Sequence, residues 1–276
     1  MAITTKLTLV AAGLMALATS GAHAGIQLAT GGNSNLIFTA WDDRGTADEA
    51  DDTSYVRDLG LFMNSFASAA TTPVRVADKQ SLTTNLNFAA DAAFSAWLAA
   101  PDRVQGAIRW NVAGADSSGD KRALTTIAAG ADTTMNNFSF NSFGARFDGY
   151  AAQVNQFAPH TTTTDGSSTH VFADGVAHAG SNSWSNNWGG AATFSNAGVI
   201  GGSLEFVLLD QNGAVNSNIV NVLPFSVGGL GAQPMVWTLA NDGSLTFAAA
   251  VPEPGTYALM LAGLVGVGAI ARRRRG

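Results

Sequence analysis

Met235-Val-Trp-Thr-Leu239 and Ser244-Leu-Thr-Phe247 flank Asn241-Asp242-Gly243, and this stretch decides the fold class. Apolar residues alternate with polar ones on both sides of a turn sequence whose glycine supplies the positive φ that a hairpin needs. An antiparallel β-hairpin is expected here, and further strands upstream. Asn35-Leu-Ile-Phe-Thr-Ala-Trp41 is rich in aromatic and β-branched residues. Thr53-Ser-Tyr-Val-Arg-Asp-Leu59 returns antiparallel to it across the acidic segment Asp42–Asp52. In Val104–Val112 a period of two puts Ile108, Trp110 and Val112 on one face. Leu204–Leu209 reads as a strand ending at the turn sequence Asp210-Gln-Asn-Gly213.

Two stretches predict helices. Phe88–Ala100 places Phe94, Trp97 and Leu98 on one face, with Asp91 near the start and Pro101 past the end. Asp132–Ala158 carries Met135, Phe138, Phe143, Phe147, Tyr150, Val154 and Phe157 at mostly three- and four-residue spacings, a core stripe. Asp132 is its expected N-cap and Pro159 its stop, with a break allowed at Gly144 or Gly149. His160–Gly190 is dense in turn formers and predicts a long surface loop with one short strand near Val171-Phe172. The expected fold is α+β, mainly β: an antiparallel sheet or sandwich-like body with about two helices. It occupies Gly25–Ala250, since no Pro- or charge-rich linker divides that span.

Of 276 residues, 46% are hydrophobic and only 12% charged, 31 are Gly and none is Cys. The charged share is about half that of an average soluble protein. The aromatic content of 9% argues against wholesale disorder. Without Cys there is no disulfide scaffold, zinc ribbon, iron–sulfur site or thiol nucleophile. The net charge is −6. Without Met1–Ala24 and Pro252–Gly276, nine Lys and Arg stand against 19 Asp and Glu, a balance of −10. Such a chain does not suit nucleic acid, whose phosphates need a basic face.

The two ends carry addresses. Residues 1–24 combine Lys6, the apolar run Leu7–Ala18 and the small residues Ala22 and Ala24, the pattern of a secretory signal peptide cut by signal peptidase after Ala24. Residues 251–276 open with Val251-Pro-Glu-Pro254, continue through the apolar run Gly255–Ala271 and close with Arg272, Arg273, Arg274, Arg275 and Gly276. The prolines keep a regular helix from forming across them. The apolar run has about the minimum length for a C-terminal transmembrane helix. Gly263, Gly266 and Gly268 weaken it further. Four arginines at one end hold that end in the cytoplasm and leave the body outside.

This order of Pro-Glu-Pro, short apolar helix and arginine cluster resembles the PEP-CTERM sorting signal, a likeness confined to residues 251–276. The resemblance implies export in a Gram-negative, exopolysaccharide-producing bacterium and recognition of the tail by exosortase, a membrane enzyme that removes it. Pro252, Glu253 and Pro254 would be the recognition element and Arg272–Arg275 the cytoplasmic stop. A plain C-terminal membrane anchor is the alternative. Either way the body lies on the outer side of the inner membrane, and the sorted product reaches the cell surface or extracellular matrix.

Catalytic motifs are missing. There is no Gly-x-Ser-x-Gly elbow, no His-Glu-x-x-His and no phosphate-binding loop, so no catalytic residue, metal or cofactor is expected. A glycosidase needs two facing carboxylates, and 19 acids supply many pairs by chance. His160, His170 and His178, with Asp165 and Asp174 among them, are able in principle to gather a divalent metal. Their spacing fits no helical face, and three solvated imidazoles are expected. Asp42–Asp52 offers oxygen ligands for calcium but lacks the EF-hand alternation, so a solvated loop held open by like-charge repulsion is expected. Trp184 and Trp188 sit among Ser, Asn and Gly: either they are exposed and stack on sugar rings, or they tuck under their own loop. The expected function is a non-catalytic surface or matrix protein with exopolysaccharide as a candidate partner; the alternative is an exported hydrolase acting on that polysaccharide.

Overall fold

The computed structural model describes residues 25–66, 85–118, 121–131, 134–158, 160, 166–181, 184, 187–192, 194–211, 220–227 and 233–250. Several expectations fall outside them: the signal peptide with Ala22 and Ala24, the tail with its apolar helix, the Asp132 cap, the Pro159 stop, Asp165, and the turn residues Asn212 and Gly213. The strands are β1 (Asn35–Asp42), β2 (Thr53–Phe62), β3 (Leu86–Phe88), β4 (Ile108–Asp116), β5 (Arg122–Ile127) and β6 (Ser167–Val171). They continue as β7 (Gly198–Val199), β8 (Ser203–Gln211), β9 (Val220–Pro224), β10 (Ser226–Val227), β11 (Gln233–Leu239) and β12 (Leu245–Ala249). The helices are α1 (Met63–Phe66), α2 (Ala92–Leu98) and α3 (Asn137–Val154).

Along β1 the side chains alternate between two cores. Leu36, Phe38 and Ala40 enter one, with Tyr55, Trp110 and Val112. Ile37 and Trp41 enter the other, with Val56 and Ala113. A strand covered on both faces has no need to alternate apolar with polar residues, so β1 reads as an almost continuous apolar run. Every pairing is antiparallel, and the strands follow the order β3-β12-β11-β8-β5-β4-β1-β2-β6. β7, β9 and β10 pair alongside β4, β8 and β11.

The two ends of this order approach each other. Arg57 on β2 donates through Nη1 to the Ala89 carbonyl just past β3 (2.8 Å), and its guanidinium lies 6.0 Å from the Phe88 ring centre. The sheet therefore curls, and α2 fills the curl. Phe94 meets Phe38 edge-on at 5.2 Å and lies 4.5 Å from Tyr55. Asp91 caps α2 by accepting from the Phe94 N–H (2.6 Å), and the same carboxylate takes the Tyr55 hydroxyl. The outer face of the sheet is covered by α3, which buries Phe140, Phe143, Phe147, Tyr150 and Val154.

The hairpin forms as its sequence predicts, with Met235 opposite Ala249 and Leu239 opposite Leu245. Gly243 has φ +84°, and a Cβ there would lie 2.8 Å from Leu98 Cδ1 on α2, so both conformation and packing demand glycine. β1 and β2 pair as expected, and Ile108, Trp110 and Val112 share one core.

Other expectations need correction. Phe88 belongs to β3, because the cap at Asp91 starts α2 only at Ala92. Gln105–Ala107 form a 3-10 turn, so that strand begins at Ile108. α3 runs unbroken from Asn137, capped by Asn136, which accepts from the Ser139 N–H (2.7 Å). Phe138 is 64% exposed and Phe140 takes the core position, because five residues from Phe138 to Phe143 overshoot one helical turn. In His160–Gly190 the expected short strand is present as β6, which ends at Val171 and pairs with β2, but the described residues around it are not a surface loop: Phe172–Ala177 form a 3-10 segment, and Ala177, Ala179, Trp184 and Trp188 are buried. Among the described residues no helix is long and apolar enough to cross a membrane; Gly255–Ala271 lies outside them.

Candidate functional site

β6 is the last strand of the sheet order, and its pairing with β2 places Ser168 opposite Val56 and His170 opposite Ser54. Ser168 and His170 are two residues apart and share the face on which Val56 enters the α3-covered core. His160 follows the C-terminal end of α3, where its N–H donates to the Phe157 carbonyl (3.0 Å). These elements bring four polar side chains into one chain of contacts. His160 Nδ1 lies 3.1 Å from Ser168 Oγ, and Ser168 Oγ lies 2.8 Å from His170 Nε2. His170 Nδ1 lies 3.4 Å from Asp174 Oδ2. The carboxylate favours a proton on His170 Nδ1, which leaves Nε2 to accept from the Ser168 hydroxyl and the Ser168 oxygen to accept from His160 Nδ1–H.

All three imidazoles are buried, which corrects the expectation of solvated histidines. Burial pushes His160 down to about 4, helped by the neighbouring His170. His178 is also pushed down to about 4 by burial, against an upward pull from the Thr53 backbone. Burial lowers His170 too, partly offset by Asp174. The Phe157 ring stands edge-on to His170 at 4.6 Å and the Phe172 ring edge-on to His178 at 6.2 Å. Ser168, His170 and Asp174 follow the order nucleophile, base, carboxylate. Ser168, however, is 3% exposed and its oxygen is shared between two rings, so this packing admits no substrate carbonyl to the hydroxyl. Among the described residues no three His, Asp or Glu side chains gather as a metal would require.

The acidic segment is braced by cations and is not simply held open by repulsion. Asp42 is fully buried, accepts from the Arg44 N–H (2.9 Å) and pairs with Arg103 Nη1 (3.3 Å). Arg44 reaches Asp102 at 2.6 Å and Asp51 at 3.7 Å. Arg103 also lies over the Trp97 ring, 4.4 Å from its centre. Burial raises Asp52 to about 6, followed by the charges of Asp51, Asp43, Glu49 and Asp42.

Trp184 and Trp188 are both 0% exposed, the tucked alternative, and neither offers a ring face to a sugar. Trp184 stacks on Tyr150 at 4.8 Å and donates to Thr39 Oγ1 (3.2 Å); Trp188 stacks on Phe143 at 3.7 Å. No sequence motif marks Ser168 as the link between two histidines. The alternation in Ser167–Val171 is the one local signal that pairs it with His170.

Both ends of the described body are fastened. Asn155, just past α3, accepts from the Ile26 N–H and donates to the Ile26 carbonyl, both at 2.8 Å. At the other end β12 is paired on both sides, by β11 and β3, and Ala250 N–H donates to the Pro234 carbonyl (2.8 Å). The sorting sequence Val251-Pro-Glu-Pro254 starts one residue later. No curated protein and no solved structure matches the chain. The family model of the PEP-CTERM protein-sorting motif matches residues 250–275, so the chain carries at its C-terminal tail the motif that exosortase recognises, and with it the mark of export and membrane-associated sorting.

Proposed function

We propose that the chain is a non-catalytic cell-surface or extracellular-matrix protein of an exopolysaccharide-producing Gram-negative bacterium. Its body crosses the inner membrane on the signal peptide and matures at Gly25 after cleavage behind Ala24. Gly255–Ala271 then holds it in the membrane with Arg272–Arg275 inside, and exosortase acts at Pro252-Glu253-Pro254. The observation that carries this reading is the PEP-CTERM sorting motif matched at residues 250–275. The envelope form, purified and incubated with the producer's own polysaccharide, is expected to begin at Gly25 and to leave the polymer length unchanged. Steady chain cleavage by the purified form would establish the alternative, an exported hydrolase acting on that polysaccharide, in its place.

A further inference from the structure

The polar chain His160–Ser168–His170–Asp174 fastens the last strand of the sheet. Among the described residues β6 is paired in the sheet through β2, and the segment after it leans on the acidic turn, where Phe172 N–H donates to the Asp52 carbonyl (3.1 Å). The Ala179 N–H donates to Ser54 Oγ (3.0 Å), directly across from His170. Three imidazoles thus sit in the packing that holds residues 167–179 to β2 and α3. Each fits there as the neutral ring. Ser168 can serve His170 Nε2 as donor and His160 Nδ1 as acceptor only while His170 Nε2 is unprotonated. A proton there would make His170 Nε2 a second donor to the Ser168 oxygen and take away the acceptor that the Ser168 hydroxyl proton has in the neutral cluster.

We propose that this cluster is an acid-sensitive latch: it holds β6 and the segment that follows it onto the sheet edge and releases them on acidification. Among the described residues, the acid in contact with a cluster ring is Asp174. On the acidic turn Glu49, Asp51 and Asp52 face the 172–177 segment. On β2, Arg57 has the same side as Tyr55 and reaches Ala89 and Asp91, away from the Ser168 face. On α3, Tyr150 stays neutral because burial raises it, and Asp148 accepts from the Ala29 N–H; Arg146 lies one turn before Tyr150.

The direction of the pH effect follows from these groups. His160 and His178 titrate near 6.5 in the open chain and near 4 when folded, so between those values the open form binds more protons. Their contribution is complete above 6.5 and is lost as pH falls toward 4. His170 acts in the same direction. Asp52, raised to about 6, acts oppositely and returns one proton's worth between about 6 and its ordinary value of 3.8. The net is about one proton, or about tenfold in the opening constant per pH unit.

Hydrogen exchange of the full chain between pH 7 and 4.5, corrected for intrinsic rates, tests this. Protection of residues 167–178 is expected to fall by about tenfold per pH unit below pH 6 while β1 and β4 remain protected. Constant protection of β6, or loss only together with β1 and β4, would overturn the latch. His160→Asn keeps a side-chain donor near Ser168 without titrating and is expected to flatten the slope by about tenfold per pH unit. If that variant fails to fold, ring-proton NMR of the wild-type chain decides: midpoints well below 6.5 for His160 and His178 support the latch, and ordinary midpoints refute it.

Discussion

Replacing Pro252, Glu253 and Pro254 together by alanine leaves the full-length chain in the inner membrane, with the processed envelope form reduced by about tenfold or more, the scale on which loss of a specific recognition element acts. The three residues lie beyond the last hydrogen bond of the described body, Ala250 N–H to the Pro234 carbonyl. β12, the strand that leads to them, is gripped on both sides by β11 and β3. Alanine also removes the two prolines, which bar regular helix at their positions. Immunoblots of fractionated membranes read the result. Unchanged processing of the triple-alanine chain would favour a plain anchor.

Trp184→Ala has the largest expected effect on stability. The indole is fully buried, stacks on Tyr150, lies 5.9 Å from Phe147 and donates to Thr39 Oγ1. Truncation leaves a cavity between α3 and the sheet, at a cost of about 3–5 kcal/mol. It also frees Thr39 from one partner, although Thr39 Oγ1 keeps its bond to Asn111 (2.6 Å). Urea unfolding of the full chain should show a midpoint lowered accordingly. Phe138→Ala, at a ring 64% exposed, is the control and should change stability by no more than about 0.5 kcal/mol. A Trp184→Ala chain as stable as the control would mean that the cluster is not the core of this face.

Local signals were legible. The β11–β12 hairpin needs only a period of two and a glycine at positive φ, both visible in Met235–Phe247. β1 and β2 were legible for the same reason. The curl was not. It depends on Arg57 reaching the end of β3, a strand of three residues that carries no pattern of its own. The helix stripe was legible from Phe143 to Val154, but the cap sits at Asn136, four residues past the expected Asp132, so that Met135 precedes the helix, Phe138 turns outward and Phe157 follows its end. The His160–Gly190 stretch misled because its small residues look like loop. In the fold they are what lets the chain pack closely: a Cβ on Gly180 would lie 2.7 Å from His178 Cε1 and 3.0 Å from Trp41. The buried polar chain was hidden because His160 and Ser168 come from separate elements and meet only once β6 is paired. The tail, by contrast, is a linear signal, and its three parts read directly from residues 251–276.

The central claim is that the tail is a sorting signal removed on delivery of the folded body. Intact-mass and peptide mass spectrometry of the protein taken from the outer envelope tests it most directly. The account predicts a mature form that retains the body through Ala250 and lacks every peptide containing Arg272–Arg275. A mature surface form with Arg272–Arg275 still attached would contradict it.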